Sequence, residues 1–263
     1  MLKETKKIVW FGGLALLVIL IISVFTFAPK KEKAAEVNIA VDKHTNIVTD
    51  GEYIFFNNSD GDVMAMHAFD TSAEIWVEDR KVLSVSNDNL VLKNKEGLVE
   101  VFSRIEKGIE ETYDIDSDTV YCTSGAIYYI DNETRYIMQI DRKTKEEVLF
   151  LDTAVNDILI FGNRLIIAPE EKGKGIVVFD YDSGNAMQLA LEKTVEKLAF
   201  ADHMVVYADT KDVVRRLNLN SGSEVVVKNV ETDGLCFSKG VYFYVDRVWG
   251  KYKLGINDTD AFR

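Results

Sequence analysis

One unit recurs six times along the chain, and that recurrence constrains its fold more than any other feature. Each copy sets a small or polar turn ahead of a short apolar-aromatic segment, as in Ser124-Gly-Ala-Ile-Tyr-Tyr-Ile-Asp131. Tyr53, Leu90, Ile127, Leu165, Met204 and Val241 begin the equivalent segment, at spacings of 37, 37, 38, 39 and 37 residues. Five positions earlier stand Val48, Val85, Cys122, Ile160, Ala199 and Cys236, all small or apolar. Two positions earlier stand Gly51, Asp88, Gly125, Asn163, Asp202 and Lys239, mostly residues that accept a positive φ or close a turn.

The segments are rich in β-branched and aromatic residues and bounded by turn signals, so they read as buried strands too short for helices. A third strand is expected at Val63-Met66, Leu98-Phe102, Tyr136-Ile140, Ile176-Phe179, Val213-Leu217 and Tyr252-Ile256. A fourth follows a polar turn at Val148-Phe150, Met187-Leu189 and Val225-Val227. Four strands in a unit of this length are the signature of a β-propeller blade. The fold expected is all-β, a six-bladed propeller over residues 37–263. The last copy ends soon after its third strand, and an unassigned strand-like piece, Val37-Asn-Ile-Ala-Val41, precedes the first. Val37–Val41 is therefore expected to supply the missing outer strand and close the ring, which pairs edges otherwise open to water.

Ahead of the repeats, Ile8 to Ala28 is an uncharged run of 21 residues. At about 1.5 Å per residue it spans roughly the 30 Å of a hydrocarbon core. A cleaved signal peptide usually has a shorter apolar region, and Pro29 would follow the scissile bond, so an uncleaved single-pass signal-anchor is the expectation. Lysines flank the run on both sides. The seven-residue tail stays inside easily and long domains translocate largely regardless of charge, so residues 1–7 are placed in the cytoplasm. Residues 29–36 then form a charged tether and the propeller stands outside. The chain carries a formal charge of -12; residues 1–36 hold six Lys against three Glu, a net +3, which leaves -15 on the remainder. An acidic domain repels phosphate backbones, which argues against nucleic acid as a partner.

The run Ile127-Tyr-Tyr-Ile-Asp131, then Tyr136-Ile-Met-Gln-Ile-Asp141, then Thr144 before Val148-Leu149, resembles the blade pattern of the DUF5050 domain. That domain of unknown function is similar to the six-bladed propeller of low-density-lipoprotein receptors. The receptor blades carry Tyr-Trp-Thr-Asp; the nearest match here is Tyr128-Tyr-Ile-Asp131, with an echo at Tyr244-Val-Asp246, and no copy has the Trp or the Thr. The resemblance implies the fold and a membrane-anchored or secreted setting. It brings no catalytic residue.

Candidate chemistry is sparse. Cys122 and Cys236 share a column in copies three and six, which face each other across a six-fold ring. They are expected beyond the roughly 7 Å Cα limit for a disulfide, as buried apolar residues. His44, His67 and His203 show no ligand spacing. Asn57-Asn-Ser-Asp-Gly-Asp62 has the oxygen density of a calcium loop but no closing carboxylate at the twelfth position, and reads as a hairpin. Glu170-Glu-Lys-Gly-Lys-Gly175 lies between two strands and reads as a turn rather than a phosphate loop. Asn57, Asn132 and Asn257 head N-x-Ser/Thr triplets, all expected in turns. Trp76 is expected to pack between blades, whereas Trp249, in an expected long loop Asp246-Arg-Val-Trp-Gly-Lys251, is open to either packing or contact.

The function expected is a non-enzymatic, membrane-anchored extracytoplasmic module that binds or scaffolds, with no cofactor and no metal. Its partners would be the membrane, through residues 8–28, and an envelope protein or glycan. The candidate interaction surface is Asp88, Asn163, Arg164, Asp202, Lys239 and Trp249. The alternative is a metal-dependent hydrolase or lyase with its site in the central channel, which requires several Asp, Glu or Asn side chains converging on the axis.

Overall fold

The computed structural model describes residues 38–86, 88–181, 183–189, 191–199 and 204–257. The expected span at 8–28 lies outside the described residues, as do Val37, Asp202 and His203. Six antiparallel sheets follow one another in chain order. Blade 1 holds β1 (Val48–Thr49), β2 (Tyr53–Asn57), β3 (Val63–His67) and β4 (Glu74–Val77). Blade 2 holds β5 (Lys81–Ser86), β6 (Asn89–Lys93), β7 (Val99–Ser103) and β8 (Gly108–Tyr113). Blade 3 holds β9 (Val120–Cys122), β10 (Ala126–Ile130), β11 (Ile137–Asp141) and β12 (Glu147–Leu151). Blade 4 holds β13 (Val155–Phe161), β14 (Arg164–Pro169), β15 (Ile176–Asp180) and β16 (Ala186–Leu189). Blade 5 holds β17 (Val195–Ala199), β18 (Met204–Asp209), β19 (Val214–Asn218) and β20 (Glu224–Val226). Blade 6 holds β21 (Cys236–Ser238), β22 (Val241–Val248) and β23 (Lys251–Asn257).

The second strand of each blade carries the continuous apolar run because neighbouring blades cover both of its faces. Every residue of β10 is buried, and Ile54, Phe55 and Phe56 of β2 are wholly so. Outer strands lie where one side meets water: β20 is exposed throughout and β12 nearly so. The core is consequently a ring of six apolar clusters, each shared by two adjacent blades. Phe55 and Val63 meet Leu90 and Leu92 between blades 1 and 2. Val91 and Val101 meet Ile127 and Tyr129 between blades 2 and 3. Tyr128 and Ile130 meet Ile158 and Leu165 between 3 and 4, and Ile166 and Ala168 meet Val205 and Tyr207 between 4 and 5. Val206 and Val214 meet Phe237 and Tyr242 between 5 and 6. Phe243 and Leu254 meet Ile54 and Phe56, which returns blade 6 to blade 1. Each fully buried Phe, Leu or Ile in this ring contributes about 1.5–3 kcal/mol over its exposed state.

Among the described residues blade 6 has three strands of its own, and the segment before blade 1 adds an outer edge to it. The amide of Val41 donates to the carbonyl of Tyr252 at 3.2 Å, and that of Leu254 to the carbonyl of Ile39 at 3.0 Å. Ala40 and Lys253 are the antiparallel pair between these bonds. The expected closing strand is therefore present over the described part of Val37–Val41.

The structure corrects three local expectations. Asp246 to Lys251 is no loop: β22 and β23 pair from Tyr242–Asn257 to Val248–Lys251, leaving Trp249 and Gly250 as a two-residue turn, both at positive φ. Asn57 is the buried last residue of β2 rather than a turn residue, and Asn257 ends β23. In blade 4 the positive φ of the first turn falls on Gly162, one residue before Asn163.

Because every blade runs up and down, its first-to-second and third-to-fourth turns open on one face of the ring, the first face. The second-to-third turns and the links between blades open on the other. Running from Ile39 to Val41 antiparallel to β23, the closing segment enters blade 6 from the first face.

Candidate functional site

Asp88, Asn163, Arg164 and Lys239 all lie on the first face and are exposed, Lys239 at positive φ. Trp249 is on the second face and is not brought to them; Asp202 lies outside the described residues. The turn column also has a main-chain role that the sequence did not reveal. The carbonyl of Asp88 accepts the amide of Arg104 at 2.7 Å, that of Gly125 accepts Arg142 at 2.9 Å, and that of Asn163 accepts Tyr181 at 2.9 Å. Each donor is the residue immediately after a third strand.

That position, filled by Arg104, Arg142, Tyr181 and Leu219, sends its side chain against the preceding blade. Arg104 pairs with Asp50 at 2.5 Å and lies over the rings of Tyr53, Phe55 and Trp76, with its guanidinium 5.1–5.7 Å from their centroids. Trp76 thus packs between blades as expected. Arg142 bonds Glu111 through Nε at 2.8 Å and reaches Glu110 at 3.3 Å and the Thr123 carbonyl at 2.9 Å. Tyr181 faces Tyr128, with ring centroids 5.7 Å apart, and Leu219 enters the apolar core between blades 4 and 5. Glu111 is further bonded by Lys145 and Tyr113. Burial pushes its pKa up, but the bonds from Lys145, Tyr113 and Arg142 outweigh this and hold it at about 2. One column therefore performs the same wedging task with a cation–π contact, an ion-pair network, an aromatic contact and an aliphatic one. The readable signal was position, directly after the third strand, and not residue type.

Around the axis the polar groups of the inner strands join blades together. Ser84 donates to the carbonyl of Val120 at 2.5 Å and Ser86 to that of Cys122. Asn156 donates to the carbonyl of Val195 at 2.8 Å. Asp157 accepts the amides of Leu198 at 2.7 Å and Ile158 at 2.8 Å. Burial raises the Asp157 pKa to about 7 even though these amides, Lys197 and Arg135 pull it down. Tyr121 is held well above its ordinary pKa by burial, with Asp157 and Cys236 adding to the effect. Cys122 and Cys236 are free and buried, one in the cluster between blades 2 and 3 and the other in the cluster between blades 6 and 1, with the Cys122 thiol pushed by burial to about 11. Among the described residues no three His, Cys, Asp or Glu side chains converge as a metal set. In the Asn58–Asp62 turn, Asn58 Oδ1 accepts the amides of Asp60 and Asp62, both at 2.9 Å, and Asp62 Oδ1 accepts the amide of Asp79 at 3.0 Å.

The second face carries two opposed features. Trp249 is 98% exposed at the tip of the β22–β23 hairpin, with exposed Arg247 and Lys251 beside it in sequence. Between blades 3 and 4 lies an open depression of about 550 Å³ lined by Tyr136, Asp152, Thr153, Ala154, Glu170 and Glu171. The Glu170–Gly175 segment that borders it is the β14–β15 turn, with Glu171 and Lys174 3.6 Å apart at the surface.

No protein-family model matches the chain, and no curated protein matches it in sequence. Solved structures match in fold. Hsv2 of Kluyveromyces lactis is 12% identical, with a TM-score of 0.53 over 86% of this chain and 74% of that one. The extracellular domain of the one-component system BT4673 from B. thetaiotaomicron is 10% identical, with a TM-score of 0.50 over 78% of this chain and 32% of that one. BamB from Moraxella catarrhalis is 13% identical, with a TM-score of 0.42 over 82% and 77%. At such identities likeness extends to the fold alone. The chain is similar to these structures as an all-β propeller, and its own strands and cores make it one of six blades.

Proposed function

We propose that this chain is a membrane-anchored extracytoplasmic propeller that acts as a binding or scaffold module rather than an enzyme. The observation that carries this reading is the use of polar side chains around the axis. Ser84, Ser86, Asn156 and Asp157 spend their hydrogen bonds holding one blade to the next. Large apolar side chains stand free on the turns instead, with Phe69 67% and Ile105 70% exposed on the first face and Trp249 on the second. Exposed aromatic and aliphatic anchors on rigid turns suit contact with another macromolecule. The apolar run at 8–28 motivates the anchor, and the blade-level resemblance to DUF5050 suits the same setting.

Crosslinking of the full-length protein in its native membrane tests the proposal, with a chain truncated after Lys33 as control. A partner captured by the full chain and lost with the propeller is the expected result. Saturable turnover of a small substrate by the purified protein would overturn it. A stoichiometric divalent ion in protein purified without chelator would revive the channel-hydrolase alternative.

A further inference from the structure

We infer that the second face pairs two copies of this chain, each inserting Trp249 into the acidic depression of the other. The tip is unusual on three counts. A tryptophan at φ 53° occupies the first place of a two-residue hairpin turn, where Asn, Asp or Gly is preferred, and bulky residues are disfavoured there. Its indole covers nothing among the described residues. Arg247 and Lys251 make no ion pair among the described residues, so the tip is locally basic in a strongly acidic domain.

The complementary surface is on the same face. The depression is lined by Asp152, Glu170 and Glu171, with Tyr136 and Ala154 as its apolar part; Lys174 offsets Glu171 alone. Its volume of about 550 Å³ falls in the range that accommodates a side chain of indole size. In a ring of six, blade 6 stands opposite blade 3, so tip and depression lie on opposite sides of the axis. A two-fold axis in the plane between two apposed second faces therefore sets each tip over the other's depression, and both contacts form together. Both chains enter through the first face, which this pairing leaves clear. One buried tryptophan removes about 150–250 Å² from water, so two reciprocal insertions make a pair weaker than a standard interface and dependent on concentration.

The test is sedimentation equilibrium of the full-length protein in detergent micelles, read with tryptophan fluorescence. Wild-type protein is expected to self-associate, with a blue shift of emission as concentration rises. Trp249→Ala should raise the dissociation constant by about thirtyfold or more, the scale of an interface hot spot. Glu170→Lys with Glu171→Lys, and separately Arg247→Glu with Lys251→Glu, should each abolish pairing. Mixing those two reversed proteins should restore it, which also shows that both are folded. Wild-type protein monomeric at about 100 μM, a concentration at which a micromolar pair is assembled, overturns the inference. So does undiminished association of Trp249→Ala, which would place the contact elsewhere.

Discussion

The amide of Leu254 donates to the carbonyl of Ile39 at 3.0 Å, joining two residues at opposite ends of the propeller. Through this bond and its companion from Val41 to Tyr252, residues 39–41 become the outer edge of the last blade. Without them the edge of β23 that they cover would present open backbone groups to water.

Ala40 and Lys253 face each other between those two bonds, the closer kind of antiparallel pair, with Cα atoms typically about 4.5 Å apart. The double substitution Ala40→Cys with Lys253→Cys is expected to form a disulfide. The bridge should stabilise the fold by about 2–4 kcal/mol, since it closes nearly the whole domain into a loop. Thermal unfolding with and without reductant reads this directly. An unchanged melting temperature on oxidation would mean that the closing strand is not a stable part of the ring.

Two glycines with the same φ of 67° are expected to respond differently to alanine. A Cβ on Gly184 meets nothing, so Gly184→Ala carries only the left-handed penalty of about 1 kcal/mol. A Cβ on Gly175 collides with the Leu189 carbonyl and comes within 2.7 Å of the Leu191 nitrogen. Gly175→Ala should therefore cost about 3 kcal/mol or more, because backbone on the neighbouring strand must move. Denaturant midpoints of the two variants decide the comparison.

Glu111 and Asp157 should shift stability with pH in opposite directions. Glu111 is held at about 2, below its ordinary 4.5, so its contribution is present above pH 4.5 and lost as pH falls towards 2. Asp157 is raised from 3.8 to about 7, so the folded state keeps a proton that the unfolded state has released, and stability declines as pH rises from about 4 to 7. The stability advantage of wild type over Glu111→Gln should shrink on acidification. Its difference from Asp157→Asn should be larger at pH 5 than at pH 8. Urea unfolding at each pH supplies both comparisons.

Of the three N-x-Ser/Thr triplets, only Asn132 presents an exposed side chain in a turn. Asn57 is 3% exposed and donates to the carbonyls of Gly61 at 3.2 Å and Arg80 at 2.5 Å, while its Oδ1 accepts the amide of Val82 at 2.9 Å. Asn257 donates to the carbonyls of Lys228 and Asn229. Expressed through a glycosylating secretory pathway, the protein should lose all glycan shift with Asn132→Gln. Asn57→Ala, by contrast, should cost about 2–3 kcal/mol by leaving buried backbone groups of blade 2 unpaired.

Much of this architecture was legible in the chain. Four of the six strand starts, Leu90, Ile127, Leu165 and Val241, are buried and Tyr53 and Met204 are half-buried, because a strand covered on both faces must be apolar along its length, as Ile127 to Ile130 is. The closing role of the segment before blade 1 followed from counting, since one blade lacked a strand and one strand lacked a blade. The candidate surface was less legible. The turn column was found by its φ preference, yet its recurrent task is to accept the amides of Arg104, Arg142 and Tyr181, which involves carbonyls rather than side chains. Trp249 shares the candidate surface with that column, but an odd number of strand reversals separates the two and puts them on opposite faces.

By itself, then, the sequence determined the number of blades, their order and the means of closure, because each depends on local strand periodicity repeated at a near-constant interval. Only the tertiary structure decided which side chains share a face, which wedge between blades and which stand free. Arg104 stacked on Trp76, Asp157 turned to the amide of Leu198, and Trp249 facing water with an acidic depression across the ring are contacts between residues far apart in the chain. No local pattern encodes them, since they arise only when the blades close around a common axis.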